Sequence, residues 1–149
     1  MSSSTIPIAA TPTRGKSFGL AWVGLCLALA VHVTDEALTD FLSVYNPTVI
    51  AIRRHVPLVP FPTFTFRVWL IGLVLGVILL LSLSPFAYNG ARLMVPLAYA
   101  FGALMALNGL QHLMASIYMR RVMPGSYSSP LLLVCSAYLL NAVRRSGAG

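Results

Sequence analysis

From about Phe18 to about Tyr45 the chain is apolar without interruption as far as Val31, and the second half of the run carries every acidic side chain the protein has: Asp35, Glu36 and Asp40. A helix over this run, at about 1.5 Å per residue, exceeds the ~30 Å hydrocarbon thickness of a bilayer, so its last turns should reach the interface. An ionised carboxylate deep in a bilayer costs roughly 2.5–3.5 kcal/mol, so a cluster of three needs partners. His32, one helical turn before Glu36, is the nearest.

Composition places the whole chain in the same setting. Of its 149 residues 58% are hydrophobic and only 9% charged, which is far from the balance of a soluble domain. The expectation is an integral, multi-pass protein of the cell membrane, with the lipid bilayer as its principal partner. A net charge of +7 would suggest nucleic acid in a soluble protein. Here the ten basic residues are dispersed over termini and loops, with no basic run interleaved with aromatics, so they read as interfacial anchors and no nucleic acid is expected. They divide five and five between the two faces of a four-span arrangement: Arg14, Lys16, Arg92, Arg144 and Arg145 against Arg53, Arg54, Arg67, Arg120 and Arg121. Charge therefore imposes no orientation. Cys26 and Cys135 lie inside apolar segments and match no metal-ligand spacing; they read as small core residues.

The fold class expected is all-α, a four-helix transmembrane bundle over residues 18–145, with tails at 1–17 and 146–149. The first helix should stop near Asn46-Pro47, because proline cannot extend a helix. A competing reading takes Arg14, Lys16, the apolar run and Ala28-Leu29-Ala30 as a signal peptide with its cleavage site; the long polar leader and the apolar register beyond the cut weigh against it. Asn46 to Pro62, with four prolines, is expected to be a loop along the membrane surface. A second helix spans about Phe64–Ser84 and carries the Gly72/Gly76 pair, whose plain explanation is close helix packing, with an oligomer through that face as a further option. After the Asn89-Gly90 turn, a third helix spans about Ala91–Met119 with Ala98, Gly102 and Ala106 as a small-residue seam. Met123-Pro124-Gly125 marks a turn, and a fourth helix spans about Pro130–Val143 with up to one more turn at either end.

His32, Asp35, Glu36 and Asp40 stand at helical offsets of zero, three, four and eight, along a single stripe. Asn108 and His112, four apart near the end of the third helix, share a face. The first and third helices run parallel; if they end at the same membrane level, His112 meets Glu36 and Asn108 meets His32 within about one turn of ~5.4 Å. Three readings fit such a pocket. His32, Glu36 and His112 supply a ligand set for a divalent metal (Zn, Fe or Mn) with an open position. Alternatively the same groups, without metal, form an acid–base pair or proton relay. The bland option is mutual satisfaction that fixes helix register. Within the first two readings His32, Asp35, Glu36 and His112 are the reactive set, with Asn108 and Asp40 as substrate-binding groups for a lipophilic substrate entering from the bilayer. His55, beside Arg53 and Arg54, reads as solvated, and Tyr45, Tyr88, Tyr118 and Tyr127 as interfacial anchors. No nucleophile elbow, phosphate-binding loop or dinucleotide fingerprint is present.

The sequence His32-Val33-Thr34-Asp35-Glu36 resembles the signature of the HXXEE family of small multi-span proteins, and Asn108 to His112 followed by Met123-Pro124-Gly125 resembles that family's second polar block and turn. The likeness covers roughly residues 20–140. It implies a shared fold and a shared polar site, and names no reaction. Asp35 stands where the family has its first glutamate, one methylene shorter in reach.

Overall fold

The computed structural model describes residues 13–56, 58 and 60–147. They form six helices and no strand: α1 (Thr13–Leu38), α2 (Leu42–His55), α3 (Phe66–Ser82), α4 (Ser84–Tyr88), α5 (Met94–Met119) and α6 (Ser129–Gly147). Of the expected tails, residues 1–12 and 148–149 lie outside the described residues, while 13–17 and 146–147 belong to α1 and α6.

The first helix ends earlier than expected, and for a different reason. Asp40 adopts a left-handed backbone (φ 54), and the Phe41 N–H turns back to the Glu36 carbonyl at 3.0 Å, the long-range bond of a Schellman cap. Glu36 therefore sits in the last turn of α1, its carbonyl spent on ending the helix. Pro47 stops nothing. It lies inside α2, where it forfeits one ladder bond, and α2 occupies most of the stretch expected to be a loop. Asn46 ties α2 to the segment before α3: its side chain donates to the Phe64 carbonyl and accepts from the Phe64 N–H, at 2.9 and 3.1 Å.

Gly15–Leu38, Phe66–Tyr88 and Met94–Met119 are long and apolar enough to cross a membrane. The fourth expected span, α6, does not join them by length and composition: its 19 residues include Ser136, Asn141, Arg144 and Arg145. It is instead the packing centre, seated against both α1 and α5. Leu132, Ser136, Leu139 and Val143, spaced three or four apart, are fully buried along it. The close approach of α5 and α6 depends on Gly102 and Gly109, where an added Cβ would come within 2.9 Å of Leu140 and 3.1 Å of Leu133. At the end remote from Glu36 the core joins Trp22 to Phe101 at 5.2 Å between ring centroids, and the Trp22 indole donates to the Leu80 carbonyl at 2.8 Å. Among the described residues nothing lies within 4 Å of a Cβ built on Gly72 or Gly76, so they do not use that pair for close packing. Cys26 and Cys135 are free thiols.

Candidate functional site

Three helices converge on the last turns of α1. His32 and Glu36 come from α1, Asn108 and His112 from α5, and the turn before α6 closes the cluster from the side. His32, Glu36 and His112 are all buried, at 0, 5 and 5% exposure. Glu36 Oε1 lies 3.6 Å from His32 Nε2 and 3.2 Å from His112 Nε2, and the two imidazoles meet edge to face at 4.9 Å. The depth match expected between the first and third long helices is what brings these groups together: Asn108 Nδ2 is 3.0 Å from His32 Nε2, one turn from the His112 contact with Glu36.

Asp35 holds the turn rather than the cluster. Its Oδ2 accepts from the Ser128 N–H at 2.9 Å and the Ser128 hydroxyl at 2.7 Å. Ser128 is the residue just before α6, so the carboxylate also sits at the positive end of that helix dipole. With its proton directed to Asp35, the Ser128 oxygen accepts from His32 Nδ1 at 2.8 Å. This fixes the His32 tautomer: Nδ1 carries hydrogen, and Nε2 presents its lone pair to the cluster, where the Asn108 amide donates to it. Metal-binding imidazoles elsewhere donate their far N–H to a carboxylate, carbonyl or water; here a serine hydroxyl backed by a carboxylate takes that place.

His112 is oriented by its neighbours without being satisfied at the ring. Its carbonyl accepts from Ser116 and Ser126, at 2.9 and 3.2 Å, and Phe41 packs against its imidazole at 5.8 Å. The buried Nε2 has no hydrogen-bond partner among the described residues: Glu36 Oε1 is close at 3.2 Å but not aligned with a ring N–H. One ligand atom from each of His32, Glu36 and His112 lies within 4.8 Å of the others. Donors on one tetrahedral ion at ~2.1 Å stand roughly 3.4 Å apart, and two of the three edges, at 3.6 and 3.2 Å, are close to that spacing.

Gly125 makes this approach possible. Its φ is +82, and a Cβ there would stand 2.9 Å from His112 Cε1, 3.0 Å from His112 Nδ1 and 3.1 Å from Glu36 Cγ. Of the residues expected in the site, His32, Glu36, His112 and Asn108 meet, Asp35 reaches it through Ser128, and Asp40 does not reach it: the left-handed turn removes it from the stripe and leaves it exposed. Ser128 and Gly125 are the members that sequence reasoning missed as site residues. The turn signal at Met123-Pro124-Gly125 marked the place, and only the fold shows which way the turn faces.

Two openings flank the cluster. A groove of about 580 Å³ between α1 and α6 has Asp35 and Ser128 in its lining, and a cavity of about 430 Å³ between α2 and α5 has Gln111 and His112 in its lining.

The chain matches, over residues 16–140, the family described as "Protein of unknown function with HXXEE motif", and it belongs to that family. No curated protein and no solved structure matches it. The stretch that resembles the HXXEE motif, His32-Val33-Thr34-Asp35-Glu36 with aspartate in place of the first glutamate, lies at the end of α1.

Proposed function

We propose, with membership of a family of unknown function as the premise, that the protein is a multi-pass membrane protein whose His32, Glu36 and His112 hold a divalent metal and act on a lipophilic substrate. The observation that carries this reading is the buried His112 Nε2, unpartnered and 3.2 Å from a carboxylate oxygen whose other neighbour is the lone-pair nitrogen of His32. Three apolar helices of spanning length support the membrane setting. The Asp35–Ser128–His32 chain supports a metal over a passive cluster, since it presents Nε2 as a base inward. A metal bound there supplies Lewis acidity and an activated water. Zinc, iron and manganese all accept an imidazole and carboxylate set. The protein's own residues exclude bulk water and fix the His32 tautomer. Metal analysis of the purified protein tests the reading: wild type should carry about one equivalent and His32→Ala should lose it, whereas equally negligible metal in both removes the proposal.

One observation favours a second reading. The Asn108 amide already occupies the His32 Nε2 lone pair, as it would in a metal-free acid–base site or proton relay. That alternative predicts pH-dependent proton flux in liposomes that disappears with Glu36→Gln and is indifferent to chelators. Flux abolished by chelation would exclude it.

A further inference from the structure

The cavity beside His112 has walls of one character and a single polar end. Val44, Val49, Ile52, Phe61, Ala115 and Met123 give it apolar sides, and its volume of about 430 Å³ is that of a small-molecule site. The polar side chains on the α2 side are already engaged: Tyr45 donates to the Pro62 carbonyl and Thr48 to the Val44 carbonyl. What remains are Gln111 and the buried, unpartnered imidazole of His112, both on α5.

The hydrogen bonds of the site dictate which end of Gln111 is left over. Asp35 is a carboxylate, so Ser128 donates to it; Ser128 therefore accepts from His32 Nδ1, and His32 Nε2 accepts from Asn108 Nδ2. The Asn108 oxygen then accepts from Gln111 Nε2 at 2.8 Å. Every donor in this chain points from α5 toward Asp35, and the group left without a partner is the Gln111 amide oxygen, an acceptor. A ligand head that meets it must donate. An ionised carboxylate head has no proton to give the Gln111 oxygen, and a cationic head would have to be desolvated among apolar walls.

We infer that the cavity between α2 and α5 binds a single-chain lipophilic alcohol, its hydrocarbon along the inner face of α2 and its hydroxyl donating to Gln111 beside His112. The inference rests on the reading of the cluster as the reactive end of a lipophilic-substrate site, and not on whether a metal is bound.

The experiment uses the full chain in nanodiscs after chelation, with a photoreactive diazirine analogue of hexadecanol as the probe, and with hexadecanol, hexadecyl methyl ether and hexadecanoic acid as competitors. Saturable labelling should map to α2 and residues 111–124. Hexadecanol should compete about tenfold better than the ether, which keeps the chain and loses the donor. Gln111→Leu, at an exposed position, should erase that difference, and Val49→Trp should abolish labelling; Ile52→Trp, at a position more exposed than Val49, serves the same purpose should the first variant not fold. Equal competition by the ether, or labelling unchanged by both tryptophan variants, overturns the inference. Metal content measured before chelation separates the two proposals. Saturable, alcohol-selective labelling of a protein that never held metal upholds the alcohol site and removes the metal, while a metal-loaded protein with no saturable labelling does the opposite.

Discussion

Gly125→Ala is the substitution for which the structure sets the sharpest expectation. Two penalties apply. A non-glycine residue held at a left-handed φ costs roughly 1–2 kcal/mol, and an added methyl between His112 and Glu36 at 2.9–3.1 Å must displace one or both, at roughly 1–3 kcal/mol more. Gly90 provides the internal reference: its φ is +64, and nothing among the described residues lies within 4 Å of a Cβ built there, so Gly90→Ala carries the first penalty alone. The expected difference between the two variants is therefore about 1–3 kcal/mol. At roughly 2–4 °C per kcal/mol for a chain near this size, that is about 2–12 °C in Tm by scanning fluorimetry of matched detergent preparations. The extra loss should arrive together with a fall of about tenfold in metal affinity, because the displaced groups are the proposed ligands. Equal melting temperatures for the two alanine variants, with metal affinity unchanged in Gly125→Ala, would refute the idea that this turn is packed against the cluster.

Three other substitutions probe separate parts of the same geometry. Ser128→Ala leaves the His32 Nδ1–H and one Asp35 bond without partners and should weaken metal binding by about 10–100-fold in a competition titration, with Ser128→Thr restoring most of it; an unchanged affinity would show that the hydroxyl does not orient His32. Asn108→Ala removes the competitor for the His32 lone pair, so metal binding should hold or tighten, and a clear weakening would make Asn108 a supporter of the site rather than a competitor. Asp40→Gly relaxes the left-handed residue and should stabilise by up to about 1 kcal/mol without altering metal content; destabilisation on thermal unfolding would point to a contact of the Asp40 side chain that outweighs its strain.

The spacing of polar groups on long apolar helices was the most legible part of this protein. His32 and Glu36 one turn apart, with Asn108 and His112 one turn apart on a parallel helix, gave the depth match directly, because helical rise is nearly invariant. Termini and connections were not legible. Pro47 looked like the end of the first helix, yet the end was set by the left-handed Asp40, a conformation that aspartate tolerates but does not announce. The same misreading placed Asp40 on the active stripe and hid α2, whose inner face walls the cavity. Ser128 and Gly125 matter through the direction of one turn and its docking against α1, which no local pattern encodes. A run of leucines reads alike in a membrane span and in a helix buried by its neighbours, so the place of α6 between α1 and α5 was not legible in its sequence.

The bond from His32 to Ser128 joins residues 96 positions apart, and Gly125 completes the cluster from the same late stretch of chain. Synthesis delivers α1 long before that turn exists, so His32 and Glu36 are made well ahead of α5 and of the turn that follows it directly. A nascent protein truncated before residue 125 would hold His32, Glu36 and His112 without the Ser128 hydroxyl and the Gly125 turn that pack against them.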